Sequence, residues 1–310
     1  MNKWSEHSPG HKQEQAREET ARLARLIDLH MTRDGTSAAR IPGLYFNRYS
    51  QPEPSDYMHT MYWPTIGIAA QGKKIIRIGE ETAEYFGAQL LVIPVALPVA
   101  IRTVQASPFE PFLGVGIYLD PDKIAALVPK VYPDGLPIME NRSAAYVLEA
   151  EPALIASMSR LVACLDDFDD NGLLLSLAED EVFIRLLRSP IGVYVAETVL
   201  SGSSIQRVAK AIDWLRNHFT ESFKIAELAD MVHLSESSFR EHFKSVTAVS
   251  PLQYQKALRL QEARRLMLSG ERDAITACRL VGYVSDSQFS RDYSRFFGSP
   301  PSRDIAKWRQ

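Results

Sequence analysis

Two stretches of eleven residues near the carboxyl end of the chain are nearly the same: His233–Phe243 reads HLSESSFREHF, and Tyr283–Tyr293 reads YVSDSQFSRDY. At an offset of fifty residues their serines and aromatic residues coincide, which pairs Ser235 with Ser285, Ser237 with Ser287, Phe239 with Phe289 and Phe243 with Tyr293. A repeat of this kind normally marks a duplicated supersecondary unit. We therefore expect one small motif to occur twice in the last third of the chain.

The repeated serines stand where a helix would begin. At Ser235 and Ser285 a hydroxyl oxygen can accept a hydrogen bond from an unpaired amide of the first helical turn. In the second copy, the spacing from Ser285 to Gln288 is that of a capping box. The aromatic residues of each copy lie four apart, so each pair shares one helix face, which we expect to be buried.

A shorter helical pattern precedes each of these helices, at about 225–231 and 274–281. The offset of fifty pairs its residues as well: Ile225 with Ile275, Leu228 with Cys278 and Met231 with Val281. Two helices joined by a tight turn, the second presenting short polar and arginine side chains, form the helix-turn-helix of DNA-binding proteins. The pattern therefore predicts two such units in an all-α domain.

Between the copies, Pro251–Leu268 (PLQYQKALRLQEARRLML) predicts one long helix of roughly 26 Å. Successive major grooves on one face of B-DNA lie about 34 Å apart. A rigid helix of this length can hold two recognition helices near that spacing, so one chain would read two adjacent groove segments.

The charge of the chain is uneven. Residues 204–310 carry 17 Lys and Arg against 12 Asp and Glu, a net charge of +5, which leaves −8 for the rest of a chain whose overall net charge is −3. This asymmetry suggests that only the carboxyl-terminal part meets a polyanion. The alternative, a helical scaffold with merely solvated polar faces, is disfavoured by the matched caps, the basic charge and the rigid spacer.

The preceding residues predict a different architecture. An amphipathic helix is expected at about 13–31, followed by many short strands cut by Pro and Gly from about 41 to 120, and then by helices. Together these patterns predict an α+β chain, with an amino-terminal cupin-like β-sandwich or barrel and trailing helices. The best linker candidate lies at 189–204, so we place one domain at 1–201 and the second at 202–310.

Several function classes are disfavoured. No apolar run reaches the length of a membrane helix, and the polar first twenty residues lack the apolar block of a signal peptide, so we expect a cytoplasmic protein. Cys164 and Cys278 lie outside metal or disulfide spacings, and a redox role for either stays open. Only His59 occurs in the β-rich stretch, so we expect no metal and no cofactor. No catalytic motif is present, and we expect no enzyme; an enzyme domain fused to a DNA-binding module is the alternative.

The last 105 or so residues closely resemble the DNA-binding domain of AraC/XylS-type bacterial transcription regulators. The matching segments are Ile225–Ala229, Leu234–Phe239, His242–Lys244, Ser250–Lys256, Arg259–Leu266, Val281–Tyr283, Ser287–Arg291 and Phe297–Gly298. Upstream, the chain resembles the regulatory domain of one AraC-type subgroup at Gln71–Lys73, Leu97–Val99, Ala106–Ser107 and Leu119–Asp120. The resemblance implies a bacterial transcription regulator, and we expect an activator although no residue fixes the sign of regulation.

The resemblance also implies which side chains meet DNA. The base-facing positions would be Ser237, Arg240 and Glu241 in the first recognition helix and Asp286, Ser287, Ser290 and Arg291 in the second. Arg can bond guanine at two points, Glu can accept from cytosine, and Ser can bond either a base edge or phosphate. The candidates for phosphate contact are Lys244, Arg259, Arg264, Arg265 and Arg295, each of which is as well suited to a surface ion pair.

The β-rich domain is expected to bind a small-molecule effector or to dimerise. Five aromatic residues are candidates to line its pocket: Tyr57, Tyr62, Trp63, Tyr85 and Phe86. Ordinary packing is the competing interpretation for each of them. The implied partners are double-stranded promoter DNA, RNA polymerase and a small-molecule effector, with no membrane; a homodimer stays open. A non-specific architectural DNA binder is disfavoured because it should be far more basic than +5.

Two positions depart from the family pattern. His233 stands in the turn of the first unit, and Ala248 follows its second helix, where the family often has Gly. Residues with a Cβ enter the left-handed backbone region less easily than Gly does. The sequence therefore defines the geometry of the first unit less firmly than that of the second, which keeps Gly282 and Gly298.

Overall fold

The amino-terminal half of the protein is a two-sheet β-sandwich enclosed by helices. The computed structural model describes residues 9–53, 57–138, 143–166 and 172–308; residues 1–8, on which the expectation about export partly depends, lie outside them. The first helix, α1 (Pro9–His30), confirms the predicted amphipathic helix. It buries Leu23 and Ile27 against the sandwich and the helices that follow.

The described residues form ten strands, of which nine lie in the stretch for which the sequence predicts β-structure or just before it, and all their pairs are antiparallel. The strands are β1 (Gly35–Ala38), β2 (Leu44–Tyr49), β3 (Met58–Tyr62), β4 (Thr65–Gln71), β5 (Lys73–Ile78), β6 (Glu81–Phe86), β7 (Gln89–Ile93), β8 (Leu97–Gln105), β9 (Phe112–Tyr118) and β10 (Tyr146–Glu149). One sheet has the order β1-β2-β9-β4-β7-β10, and the other has the order β3-β8-β5-β6. Side chains alternate in and out along β5, as a half-buried strand requires.

Four helices trail the sandwich: α2 (Pro121–Val131), α3 (Pro152–Ala163), α4 (Gly172–Leu187) and α5 (Gly192–Val199). The expectation of helices after residue 120 is confirmed except at β10, which pairs with β7 and was not predicted. This strand is short and its residues are only partly buried, so it lacks the alternation that identifies a strand in a sequence. The expected linker at 189–204 contains α5.

Seven helices form the rest of the described chain: α6 (Ser204–Asn217), α7 (Ile225–Met231), α8 (Glu236–Thr247), α9 (Pro251–Leu268), α10 (Ala274–Leu280), α11 (Asp286–Phe297) and α12 (Pro301–Trp308). The two short-helix and long-helix pairs, α7–α8 and α10–α11, lie on either side of the 18-residue α9. The predicted α+β fold with a double helix-turn-helix domain is confirmed.

The structure corrects one detail of the repeat. An offset of fifty holds for α8 and α11, but α7 and α10 correspond at an offset of 49. Val232 and Val281 are both buried at the ends of these helices, whereas Met231, which we expected to match Val281, is 40% exposed. The second turn is therefore one residue longer, and this length change is invisible in a comparison made at one fixed offset.

The left-handed backbone positions in the two units are occupied by different residue types. His233 has φ 56° and Ala248 has φ 61°, so both enter the left-handed region, as does Gly282 at φ 85°. At Gly282 a Cβ would lie 2.2 Å from the carbonyl oxygen of Thr220, so the second unit requires glycine for space as well as for φ. The departures at His233 and Ala248 therefore fall on backbone positions that glycine suits best.

The sandwich and the first helix-turn-helix unit share one hydrophobic core. Leu97 and Ile101 of the smaller sheet belong to the same buried cluster as Ile212 of α6 and Phe243 of α8. Tyr254 of α9 is fully buried there and donates a hydrogen bond to the carbonyl oxygen of Ala96 at 2.8 Å. The second unit has a separate core, centred on Leu260, Phe289 and Tyr293.

Candidate functional site

The two serines at the start of the repeated helices act as helix caps. The Oγ of Ser235 accepts a hydrogen bond from the amide of Ser238, and that of Ser285 accepts one from the amide of Gln288, each at 3.3 Å. The capping box expected at Ser285 is only half formed, since among the described residues no bond returns from the Gln288 side chain. A complete box occurs instead at Ser250 and Gln253, at the start of α9.

The repeated aromatic residues fix both recognition helices in the same way. Phe239 and Phe243 have ring centroids 5.6 Å apart with an interplanar angle of 59°, and Phe289 and Tyr293 have the same distance and angle. All four rings are buried. Because each helix buries this face, its opposite face is presented to solvent.

All seven expected base-facing side chains lie on these exposed faces: Ser237, Arg240 and Glu241 on α8, and Asp286, Ser287, Ser290 and Arg291 on α11. Arg240 forms an exposed ion pair with Glu236 one turn earlier, at 3.3 Å. Such a surface pair contributes little to stability, so the guanidinium is readily released for another partner.

Arg264, a candidate for phosphate contact, is instead part of the core of the second unit. Its guanidinium forms a two-point ion pair with Asp304 of α12, at 2.8 and 2.9 Å, and lies 4.6 Å from the ring centroid of Phe297. The hydroxyl of Tyr293 donates to the same carboxylate at 2.7 Å. The sequence suggests a phosphate ligand because an arginine inside a helix does not reveal its distant partner.

Arg259 likewise binds the protein itself. Its guanidinium donates to the carbonyl oxygens of Phe219, Thr220, Glu221 and Gly282, at 2.6 to 3.1 Å. This side chain therefore joins α9 to the segment before α7 and to the turn of the second unit. Carbonyl oxygens of the chain thus occupy the guanidinium, which holds the relative positions of these segments.

The three remaining phosphate candidates differ from one another. Arg265 is exposed but pairs with Glu262 at 2.9 Å and with Glu271 at 3.3 Å. Lys244 and Arg295 are exposed near the carboxyl ends of α8 and α11, and among the described residues no carboxylate lies within 4.0 Å of either. These two cations are the best placed of the five for an external anion.

A cavity of about 390 Å³, open to solvent beside the exposed side chains of Trp63 and Tyr118, lies between β1, β2 and β9 of one sheet and β3, β5 and β8 of the other. Four tyrosines and two threonines are among its lining residues: Tyr45, Tyr49, Tyr62, Tyr118, Thr36 and Thr60. Of the five aromatic residues expected to line a pocket, Tyr62 and Trp63 do so here.

The other three aromatic candidates lie elsewhere. Tyr57 packs against the guanidinium groups of Arg77 and Arg102, at 4.4 and 5.3 Å from its ring centroid. Tyr85 is buried against Phe112, and Phe86 is 40% exposed beneath the ammonium group of Lys73. The sequence identified aromatic residues but could not show which strand faces the sandwich interior.

Lys74 is a cavity residue that was not predicted. It is 3% exposed, and its Nζ lies 3.9 Å from the ring centroid of Tyr49 and 4.4 Å from that of Phe112. Burial lowers the pKa of this ammonium group to about 7, although Glu53 acts in the opposite direction. The signal was present in KKIIRI, because the period-two pattern places Lys74 on the same inward face as Ile76 and Ile78.

Strand β3 separates the cavity from the helix-turn-helix units. Thr60 and Tyr62 line the cavity, while the ring of His59 lies 4.6 Å from that of Phe296 and 5.2 Å from that of Phe297 on α11. Burial lowers the pKa of His59 to about 4, so this imidazole is neutral at physiological pH. One strand thus contacts both candidate sites.

The described residues contain no group of three or more His, Cys, Asp or Glu side chains that could hold a metal ion. Within the same residues, no helix has the length and apolar character needed to cross a membrane. Cys278 is buried, and burial raises the pKa of its thiol to about 11; Cys164 is partly exposed.

Comparison with known proteins agrees with this arrangement. Residues 228–306 match a helix-turn-helix domain family. The HTH-type transcriptional activator RhaS of Pectobacterium carotovorum subsp. carotovorum (strain PC1) is 30% identical over 105 residues, 34% of this chain and 38% of RhaS. The virulence regulon transcriptional activator VirF of Yersinia enterocolitica is 24% identical over 159 residues, 51% of this chain and 58% of VirF. The chain therefore matches these relatives over little more than half of their length at most.

A solved structure of ToxT from Vibrio cholerae has the same fold, with a TM-score of 0.54 at 13% identity, covering 85% of this chain and 98% of ToxT. Residues 40–194, half of the chain, match the family described as AraC-type transcriptional regulator N-terminus. The protein therefore belongs to the AraC-type transcriptional regulators.

Proposed function

We propose that the protein is a sequence-specific transcription regulator that reads two adjacent major-groove segments of promoter DNA and is controlled by a small-molecule effector. The observation that carries this proposal is the pair of capped helices, α8 and α11, whose seven exposed polar side chains lie on either side of the rigid helix α9. We place the regulatory domain at 1–201 and the DNA-binding domain at 202–310, with α6 opening the latter.

In this proposal the two helices read different bases. Arg240 and Glu241 on α8 offer a two-point guanine contact and a cytosine acceptor, whereas Ser290 and Arg291 on α11 offer a shorter polar contact and a second arginine. Lys244 and Arg295 contact phosphates and so position the protein without specifying sequence. Arg259, Arg264 and Arg265 are left out of the DNA contacts, because carbonyl oxygens or carboxylates of the chain occupy their guanidinium groups.

The effector would bind in the cavity between the sheets. Aromatic rings form much of its wall, beside the polar side chains of Thr36, Asn47 and Thr60, and its volume of about 390 Å³ suits a small ligand. Tyr62 and Trp63 line this site; we keep Tyr57, Tyr85 and Phe86 as structural residues beside it.

Strand β3 would carry the signal. Within the part of the chain that the structure describes it is an edge strand paired only with β8, so a ligand against Thr60 and Tyr62 can displace it with little disruption of the sheet. His59 on the same strand contacts Phe296 and Phe297 of α11. Occupation of the cavity would thus change how the second recognition helix is held, and so change promoter occupancy.

The same proposal includes contact with RNA polymerase in the bacterial cytoplasm, activation as the sign of regulation, and a homodimer as one assembly that the full chain can adopt. The names of two relatives, the transcriptional activators RhaS and VirF, support activation as the sign of regulation.

The direct test is selection of bound sequences from a random DNA pool with the full chain, followed by titration of the selected and scrambled duplexes at one salt concentration. The proposal predicts that the selected duplex binds at least about a thousandfold more tightly. Equal binding of both duplexes would contradict it.

A further inference from the structure

The cavity between the sheets contains a single positive charge. Among the described residues that line it, Lys74 alone is a lysine or arginine, and it lies at the end formed by β5. The remaining lining residues are aromatic, aliphatic or neutral polar. The electrostatic character of the site is therefore set by one ammonium group on an otherwise neutral wall.

This ammonium group lacks an anionic partner within the described chain. Its Nζ lies over the faces of Tyr49 and Phe112, and no carboxylate of a described residue comes within 4.0 Å of it. The carboxylate that acts on it electrostatically, that of Glu53, accepts a hydrogen bond from the amide of Thr103 at 2.7 Å. The π faces stabilise the cation much less than water or a carboxylate would.

We propose that the cavity binds a compact organic carboxylate whose anionic group pairs with Lys74 Nζ and whose apolar body lies between Tyr45, Tyr62 and Tyr118. This inference rests on the proposed function, because it specifies the effector of that same cavity. A monoanion fits better than a phosphate, since one lysine cannot balance a dianion in a buried site. The volume of about 390 Å³ lies near the lower end for ligand pockets, which favours a compact ligand.

Binding should also change the protonation of Lys74. The pKa of the free ammonium group is about 7, and a carboxylate in contact with it raises that pKa. Around pH 8 the ligand therefore binds together with a proton. The other titratable groups near Lys74 are Glu53 and the phenols Tyr49 and Tyr62; burial raises the pKa of both phenols above its ordinary value, so they stay neutral in this range.

The experiment uses the full chain and two probe pairs of matched shape: 3-phenylpropanoate with 3-phenylpropanamide, and octanoate with octanamide. Isothermal titration calorimetry at pH 8 in two buffers of different ionisation enthalpy measures affinity and proton uptake together. We expect at least one carboxylate to bind, its amide to bind at least tenfold more weakly, and binding to take up most of one proton. The ring and chain probes distinguish an aromatic from an aliphatic body.

Three variants complete the test. Lys74→Met should lower carboxylate affinity at least tenfold, whereas Lys74→Arg should retain binding without proton uptake, because a guanidinium stays charged at this pH. Lys73→Met is the matched control, since Lys73 is the neighbouring residue, faces outward and pairs with Glu84 at 3.0 Å; it should bind like the wild type. Equal binding of acid and amide, no binding of either carboxylate, or unchanged binding by Lys74→Met would overturn the inference.

Operator binding by the same preparations separates this inference from the proposed function. Specific DNA binding without carboxylate binding would overturn only the ligand assignment. Carboxylate binding without specific DNA binding would support the ligand assignment and contradict the proposed function.

Discussion

Arg264 of α9 and Asp304 of α12 form a buried ion pair joined by two hydrogen bonds of 2.8 and 2.9 Å, and Tyr293 of α11 donates to the same carboxylate. The pair thus ties the helix between the two helix-turn-helix units to the last two helices. The second recognition helix is oriented through this contact, and the buried carboxylate of Asp304 occupies the guanidinium of Arg264.

Removing one partner of this pair should destabilise the protein strongly. We expect Arg264→Ala to lower the free energy of unfolding by about 3–5 kcal/mol, because it leaves the Asp304 carboxylate buried without its cation. Chemical denaturation measures this change. Arg265→Ala, one residue further on, is the matched control and should leave stability nearly unchanged because that side chain is exposed; equal effects of both variants would contradict the assignment.

The two recognition arginines should affect specific binding only. Arg240→Ala and Arg291→Ala are each expected to cost about 1–3 kcal/mol at the selected operator while leaving affinity for random DNA almost unchanged. Lys244→Ala should weaken binding to both DNAs and reduce the salt dependence, as loss of a phosphate contact does. Titrations of both duplexes at several salt concentrations check this, and equal losses on random DNA would demote either arginine to a phosphate contact.

The residues that follow the two recognition helices can be substituted in opposite directions, alanine to glycine in one and glycine to alanine in the other. Ala248 at φ 61° and Gly298 at φ 80° occupy equivalent positions at the ends of α8 and α11. Ala248→Gly should stabilise the protein by roughly 0.5–1 kcal/mol, since relief of left-handed strain exceeds the entropy gained by the unfolded chain. Gly298→Ala should destabilise it by about 1 kcal/mol, because a Cβ there meets open space and only the strain remains. Thermal unfolding of both variants measures the sign, and a shift in the same direction for both would contradict this account.

The buried lysine should make stability depend on pH. Its pKa is about 7 in the folded protein and 10.5 ordinarily, so between these values the unfolded chain holds the proton and the folded chain does not. The free energy of unfolding therefore rises with pH across that window. Below pH 7 the destabilisation caused by burying Lys74 has its full size. Lys74→Met should raise the free energy of unfolding without ligand, by roughly 1.4 kcal/mol for each unit of lowered pKa, with the gain shrinking from pH 6.5 to pH 9.5. Denaturation of the wild type and the variant at both pH values checks this; a gain that is equal at both, or absent, would show that Lys74 is not buried as a strained cation.

The repeat, the caps and the buried aromatic pairs could be predicted from sequence because they depend on local spacing. Ser235, Phe239 and Phe243 lie within nine residues, and their roles follow from helix geometry alone. The buried ion pair of Arg264 could not be predicted, because its partner Asp304 is forty residues away and becomes a neighbour only when α12 packs on α9. The same holds for Arg259, whose four carbonyl partners come from two separate turns.

The β-sandwich shows an intermediate case. Its strands could be predicted from short apolar runs, but the order of the strands in each sheet could not. That order makes β1 and β3 edge strands beside the cavity. Lys74 was predictable from the alternation in β5, whereas the assignment of Tyr57, Tyr85 and Phe86 to a pocket rested on residue type alone.

In the proposed function one chain reads two groove segments, one with each recognition helix. The most direct measurement is base-by-base substitution across the selected operator, with binding compared between the wild type, Arg240→Ala and Arg291→Ala. The account predicts two sensitive segments one helical turn, about 10 base pairs, apart. It also predicts that Arg240→Ala removes sensitivity in one segment only and Arg291→Ala in the other only. A single sensitive segment, or loss of the same positions in both variants, would contradict the claim.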